Sequence, residues 1–193
     1  MSLVLLLVAA AAPPSQFSED RNRRMLADFA ACVVHRRPHV AARYLLKDLY
    51  TPDSFLNPDC LPRLAPNVSL YAPPLLIRYA VANALIQSEP SLKLPDLSTI
   101  PPLDIQTSYA DGDQSSLPVL RFGECVVRTA PEETTRFLHT GVATREEESS
   151  FQALGPAFSS CLFAGQTAKF SREVVRGSVA INYYRLAHAG IAQ

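Results

Sequence analysis

The sequence predicts an all-α protein made of two pseudo-symmetric four-helix units packed together. Each unit holds one internal disulfide, and a proline-rich strap joins them. Three observations carry this expectation: apolar residues recur at helical spacing in both halves, the two halves resemble each other, and each contains two cysteines. The 193 residues are 48% apolar and 19% charged, which excludes a disordered chain and allows a proper core. Lys plus Arg and Asp plus Glu stand at 18 each, so no overall field recruits nucleic acid or an anionic membrane surface. Proline at 16 against glycine at 7 predicts helices with frequent stops.

The first element is a run of apolar residues, 3–12, reading Leu-Val-Leu-Leu-Leu-Val-Ala-Ala-Ala-Ala. It has the length of a signal peptide and falls short of the roughly 20 residues of a membrane span. Small residues follow at the spacing a signal peptidase reads, Ala9-x-Ala11 or Ala10-x-Ala12, although no Lys or Arg precedes the run. A buried N-terminal helix is the alternative, and Pro13-Pro14 before polar Ser15-Gln16 fits it poorly. The expectation is a signal peptide over 1–12 and an exported, periplasmic or secreted, protein. The densest later apolar stretch, Leu75 to Ile86, is interrupted by Arg78 and Asn83, so no span is expected after cleavage.

The second element, a helical repeat over 17–88, is best read beside the fourth, over 117–193. Phe29, Cys32, Val33, Val34, Pro38, Arg43 and Leu45 match Phe122, Cys125, Val126, Val127, Pro131, Arg136 and Leu138 at a single offset of 93. Cys60-Leu61 answers Cys161-Leu162 at an offset of 101, eight residues out of that register. Two copies are too few for an open solenoid, which favours a packed pair.

Met25, Leu26, Phe29, Cys32 and Val33 share one helical face, with Arg24, Asp28 and His35 opposite. Val119, Phe122, Cys125 and Val126 repeat that face, with Arg121, Glu124 and Arg128 pointing away. Pro38 and Pro131 suit the first turn of a following helix, and Gly141 is a natural stop. Thr144-Arg-Glu-Glu147 is a capping-box pattern opening a helix to about Leu162. Each half then ends in a long apolar helix, Pro73 to Ser88 and Ser171 to His188, with Arg78 roughly opposite Arg176.

The third element, 89–116, carries Pro90, Pro95, Pro101 and Pro102 and is too long for an ordinary connection. Leu92, Leu94, Leu97, Ile100, Leu103 and Ile105 are spread along it, which predicts a strap lying over the helices, with Asp111 to Ser116 as its tip. A plain flexible linker is the alternative.

Four cysteines allow three complete pairings. If each half is a unit able to fold, Cys32 pairs with Cys60 and Cys125 with Cys161, and an oxidising compartment keeps such bonds. Two alternatives stand beside this: four buried thiols, or zinc held by Cys32, His35, His39 and Cys60. Zinc is disfavoured because Arg128 and Glu132 replace both histidines in the second half while the cysteines remain. No metal or other cofactor is expected.

The chain carries no Gly-x-Ser-x-Gly elbow, Walker loop, dinucleotide fingerprint or His-Glu-x-x-His pair. His35, His39, His139 and His188 are scattered, and no catalytic residue is assigned. Asp111-Gly-Asp113 begins like a calcium loop, but Ser116 and Phe122 occupy the positions that need Gly and Glu. Asn67-Val-Ser69 is a glycosylation triplet with meaning only in a eukaryotic secretory route. Glu146-Glu147-Glu148 reads as a solvated helix face. Arg43 and Arg136, the matched charged pair at the main offset, read either as anion anchors or as structural cations at helix ends, with structure preferred.

The motifs Phe122-x-x-Cys125-Val126-Val127-Arg128, Cys161-Leu162-x-x-Gly165-Gln166 and Phe170-Ser171-x-x-x-x-Arg176-Gly177 resemble a group of small exported bacterial proteins with the same duplicated two-cysteine unit. The first half holds a degraded version without the Gly-Gln pair. The resemblance implies the fold and the exported location, and no activity.

Two function classes follow. The first is a non-catalytic module binding another protein or an envelope component. The second is a binder of a small apolar ligand between the units, lined by Tyr44, Phe137, Tyr183 and Tyr184. An enzyme ranks third, for want of a nucleophile and base.

Overall fold

Prolines set most of the helix starts. The computed structural model describes residues 14–46, 60, 73–104, 117–162 and 170–189. Among the described residues there are eight α-helices and no strand: α1 Pro14–Arg36, α2 Pro38–Leu46, α3 Pro74–Ser88, α4 Leu117–Thr129, α5 Pro131–Leu138, α6 Arg145–Ala153, α7 Gly155–Cys161 and α8 Arg172–Ala189. The protein is all-α, as its periodicity predicts. The expected signal peptide, the Asn67 triplet, Ile105 and Asp111 to Ser116 lie outside the described residues, as do 47–59 and 61–72 on either side of Cys60.

Pro38 and Pro131 occupy first-turn positions, where the missing N–H removes no helical bond. The helix breaks for one residue at each junction, Arg37 and Ala130, and both junctions use one hydrogen-bond pattern. Arg37 N–H donates to Val33 at 2.9 Å and Ala41 N–H to Arg37 at 3.0 Å, while Ala130 donates to Val126 at 3.0 Å and Thr134 to Ala130 at 2.9 Å.

The packing repeats too. α1 lies on α3, α4 lies on α8, and α3 and α8 pack against each other at the centre. The core runs through all of these, from Phe29, Val33 and Leu45 through Leu85 and Ile86 to Phe122, Val126, Ile181 and Leu186. Two close approaches need glycine. A Cβ on Gly123 would stand 2.5 Å from the Ser178 carbonyl oxygen, and one on Gly177 would overlap the Tyr79 ring.

Three local expectations are corrected. The helix opened by Thr144 breaks in two at Leu154, because Pro156 follows in the first turn of α7 and has no N–H to donate backward. α5 ends at Leu138 rather than at Gly141, and the left-handed residue of that turn is Ala143, φ 58°. Glu124 does not point into solvent: it is buried, because the strap covers the outer side of α4.

The strap lies on the helices. Leu92, Leu94, Leu97, Ile100 and Leu103 are partly buried against the core. Arg128 donates to the carbonyls of Leu97 at 3.0 Å, Ile100 at 3.1 Å and Pro101 at 2.9 Å, and pairs with Glu124 at 2.8 Å. Glu124 in turn accepts the Leu103 N–H at 3.0 Å. Among the described residues, no helix is long and apolar enough to cross a membrane.

Candidate functional site

The four cysteines form two bonds, Cys32–Cys60 and Cys125–Cys161, each with Cα atoms 5.8 Å apart. The pairing matches the expectation, and it consumes both sulfurs of the zinc alternative, whose His35 and His39 are exposed. Cys125–Cys161 ties α4 to the end of α7, with the Thr129 hydroxyl 3.8 and 3.7 Å from its two sulfurs.

A buried ionic cluster forms where α1, α3, α6 and α8 meet. The capping box creates it. Thr144 takes an extended conformation at the start of α6 and its hydroxyl accepts the Glu147 N–H at 3.1 Å. The Glu147 side chain turns back, and Oε2 accepts the Ala143 N–H at 2.8 Å. Its other oxygen, Oε1, accepts from Arg23 at 2.6 Å and from Arg176 at 2.9 Å. Glu147 is 0% exposed, so the expected solvated face at 146–148 is corrected: its middle carboxylate is interior.

Arg176 uses all five of its N–H groups. Nε donates to Asn83 at 3.1 Å; Nη1 to Thr140 Oγ1 at 3.1 Å and to Glu147; Nη2 to the carbonyls of Leu138 at 3.1 Å and Thr140 at 2.7 Å. Burial pulls its guanidinium down to about 10, with Glu147 opposing, so it stays charged at neutral pH. Arg23 also lies 3.5 Å from Asp20 and 4.0 Å from Glu173. Desolvation raises the Glu173 carboxyl above its ordinary value; Glu147 and Glu19 add to this, and Arg23 and Arg176 oppose it.

Two guanidiniums holding one carboxylate in a nearly dry site make a structural clamp. The cluster was half legible. The capping box and Arg176 stand out in the sequence, whereas Arg23 looks like any cation of an Arg-rich helix face.

Arg176 also lies 4.9 Å over the Phe137 ring, as Arg78 lies 5.2 Å over Tyr44. Tyr44 and Phe137 are counterparts at the offset of 93. These two rings, Tyr183 and Tyr184 are all core residues, at most 7% exposed. The cleft between α3 and α8, beside Tyr79 and Gly177, measures about 30 Å³. Burial raises the Tyr184 hydroxyl to about 12, and His188 stacks on that ring at 4.3 Å.

The matched arginines Arg43 and Arg136 are exposed, and Arg136 pairs with Glu133 at 2.9 Å. Arg136 and His139 border an open groove of about 460 Å³ between the strap and α5, walled by Pro90, Leu92, Leu94, Pro131 and Tyr183. A second recess of about 460 Å³, lined by Glu19, Asp20, Arg23, Glu148, Phe151, Phe170 and Arg172, is mostly polar. Arg172 closes one side of it, paired with Glu148 and 5.3 Å over the Phe151 ring.

Compared with protein families, with curated proteins and with solved structures, the chain matches none.

Proposed function

We propose that the chain is an exported, non-catalytic helical module that binds another protein or an envelope component through its surface. The observation that carries this reading is the fate of the reactive groups. All four sulfurs are tied in disulfides. The buried Glu147 carboxylate is held by both Arg23 and Arg176, with Asp20 and Glu173 beside Arg23. Function is therefore assigned to the exterior, where an apolar groove lies open beside the strap.

Export is supported by the two disulfides, which persist in oxidising compartments. The signal-peptide pattern expected over 1–12 points the same way. The duplicated-module reading draws support from the matched proline junctions and from arginines standing over counterpart rings in both halves.

Crosslinking in the native envelope, followed by identification of the linked proteins, tests the reading. A specific protein or polymer partner is the expected result. Recovery of a bound small apolar molecule and no macromolecular partner would replace it with a ligand-carrier function.

A further inference from the structure

We infer that the cleft between α3 and α8 is a site for one small monovalent anion of halide size, taken up together with a proton. The inference goes beyond the interaction-module reading and does not depend on it.

The cleft gathers polar groups that the rest of the fold leaves unused. Asn83, 5% exposed, lines it from α3. Its Oδ1 accepts from Arg176 Nε at 3.1 Å, which fixes the orientation of the amide, and among the described residues its Nδ2 makes no hydrogen bond. Arg23, 3% exposed, lines the cleft from α1, and its Nε has no hydrogen-bond partner. Glu173 lines it from α8, with Oε2 4.0 Å from Arg23 Nε, beyond hydrogen-bond reach. Buried polar groups are rarely left unpaired, and three around one cleft point to an occupant. At about 30 Å³ the cleft admits a halide or a water or two, and excludes an organic ligand.

Charge selects the occupant. Glu147 stands as one carboxylate between two guanidiniums, Arg23 and Arg176. Asp20, also near Arg23, does not line the cleft: it is half-exposed in the polar recess. Glu173 is faced by Glu19 and Arg23 from α1, Glu147 from α6 and Arg176 from its own helix, while α3 offers only the uncharged Asn83 and Gln87. Desolvation raises its carboxyl, against Arg23 and with Glu147 and Glu19. Ionised, Glu173 completes a balance of two carboxylates and two cations, and the cleft needs only water. Protonated, it leaves one positive charge over. Every unpartnered group at the cleft is then a donor: the Asn83 amide, Arg23 Nε and the carboxyl O–H. A halide supplies the missing charge and accepts from all three, whereas water restores no charge and a cation meets only donors.

The test uses the full oxidised chain, with chloride exchanged for gluconate at constant ionic strength. At about pH 5 the thermal midpoint should rise with chloride, by about 3 to 5 °C for each tenfold increase once the site fills. At about pH 8 ionised Glu173 takes the place of the anion, and the rise should shrink about threefold or more. Glu173→Gln, neutral throughout, should keep the full rise at both pH values. Asn83→Asp keeps an oxygen for Arg176 but puts an acceptor where the unused donor was, and should abolish the rise.

An equal rise at both pH values in the wild type, an undiminished rise in Asn83→Asp, or no rise at about pH 5 in molar chloride would each overturn the inference. Loss of the rise at about pH 8 in Glu173→Gln would overturn the link to the proton. Crystals soaked in bromide at about pH 5 locate the ion independently of any variant. An anomalous peak beside Asn83 Nδ2 is expected, and a cleft holding water alone would sink the site.

Discussion

Arg23 and Glu147 lie 124 residues apart in sequence and 2.6 Å apart in space. Each disulfide closes a loop within one half of the chain, whereas this pair and the Arg176–Asn83 bond join one half to the other. Glu147→Ala would take from Arg176 its paired carboxylate and leave Arg23 only Asp20 and Glu173, and should cost about 3 to 5 kcal/mol in urea denaturation. Arg23→Met should cost clearly less, since Arg176 still neutralises Glu147. Equal losses from the two variants would contradict a shared carboxylate.

Gly177 and Tyr79 fix how closely α3 and α8 approach. A methyl group on Gly177 overlaps the ring, whose Cβ and Cγ are also in the way, so Gly177→Ala should destabilise by about 1 to 3 kcal/mol. Combining it with Tyr79→Gly, which removes Cβ and ring together, should recover part of that loss, so that the double mutant loses less than the sum of the two single ones. Strictly additive losses would place the Gly177 effect elsewhere.

Glu173 gives the fold a pH dependence of known sign. Its folded value lies above the ordinary 4.5, chiefly through desolvation, so the protonated form is favoured by folding. That contribution is fully present below the unfolded value and is lost as pH rises through the raised folded one. Glu173→Gln should therefore gain stability relative to the wild type as pH climbs from about 4.5, the ordinary carboxyl value. Urea midpoints of both proteins across that range measure it, and a gap that shrinks with pH would contradict the assignment.

Arg128 clasps three carbonyls of the strap, and Glu124 holds the Leu103 amide. Arg128→Ala should release the strap while sparing the helices. Hydrogen exchange at Leu103 should quicken by about tenfold or more, with α8 amides unchanged. Unchanged protection at Leu103 would mean that the leucines alone hold the strap down.

Periodicity and proline placement were enough to read the helices, because each helix buries one regular face and starts where a missing N–H is harmless. The Cys32 and Cys125 faces and the proline junctions at Pro38 and Pro131 are local properties of this kind. What was not legible depends on which elements meet. Glu124 and Arg128 sit on the outward face of α4 by periodicity, and the strap crossing above buries Glu124 and partly covers Arg128. Glu147 belongs to a run of three glutamates, and its burial follows from two arginines converging from α1 and α8. The groove has no signature in sequence, since its walls come from the strap, α5 and α8, and Arg136 gave only a hint through its match with Arg43.

The central claim is that each half is closed by its own sulfur bond. In the chain-entropy model, loops of 28 and 36 residues give about 3.5 to 4 kcal/mol each, before any strain is subtracted. Non-reducing proteolysis of protein purified from its native compartment, followed by mass spectrometry, is the direct measurement. The account predicts peptides joining Cys32 to Cys60 and Cys125 to Cys161, with no alkylatable thiol. Peptides joining Cys32 or Cys60 to Cys125 or Cys161, or four thiols open to alkylation, would contradict it.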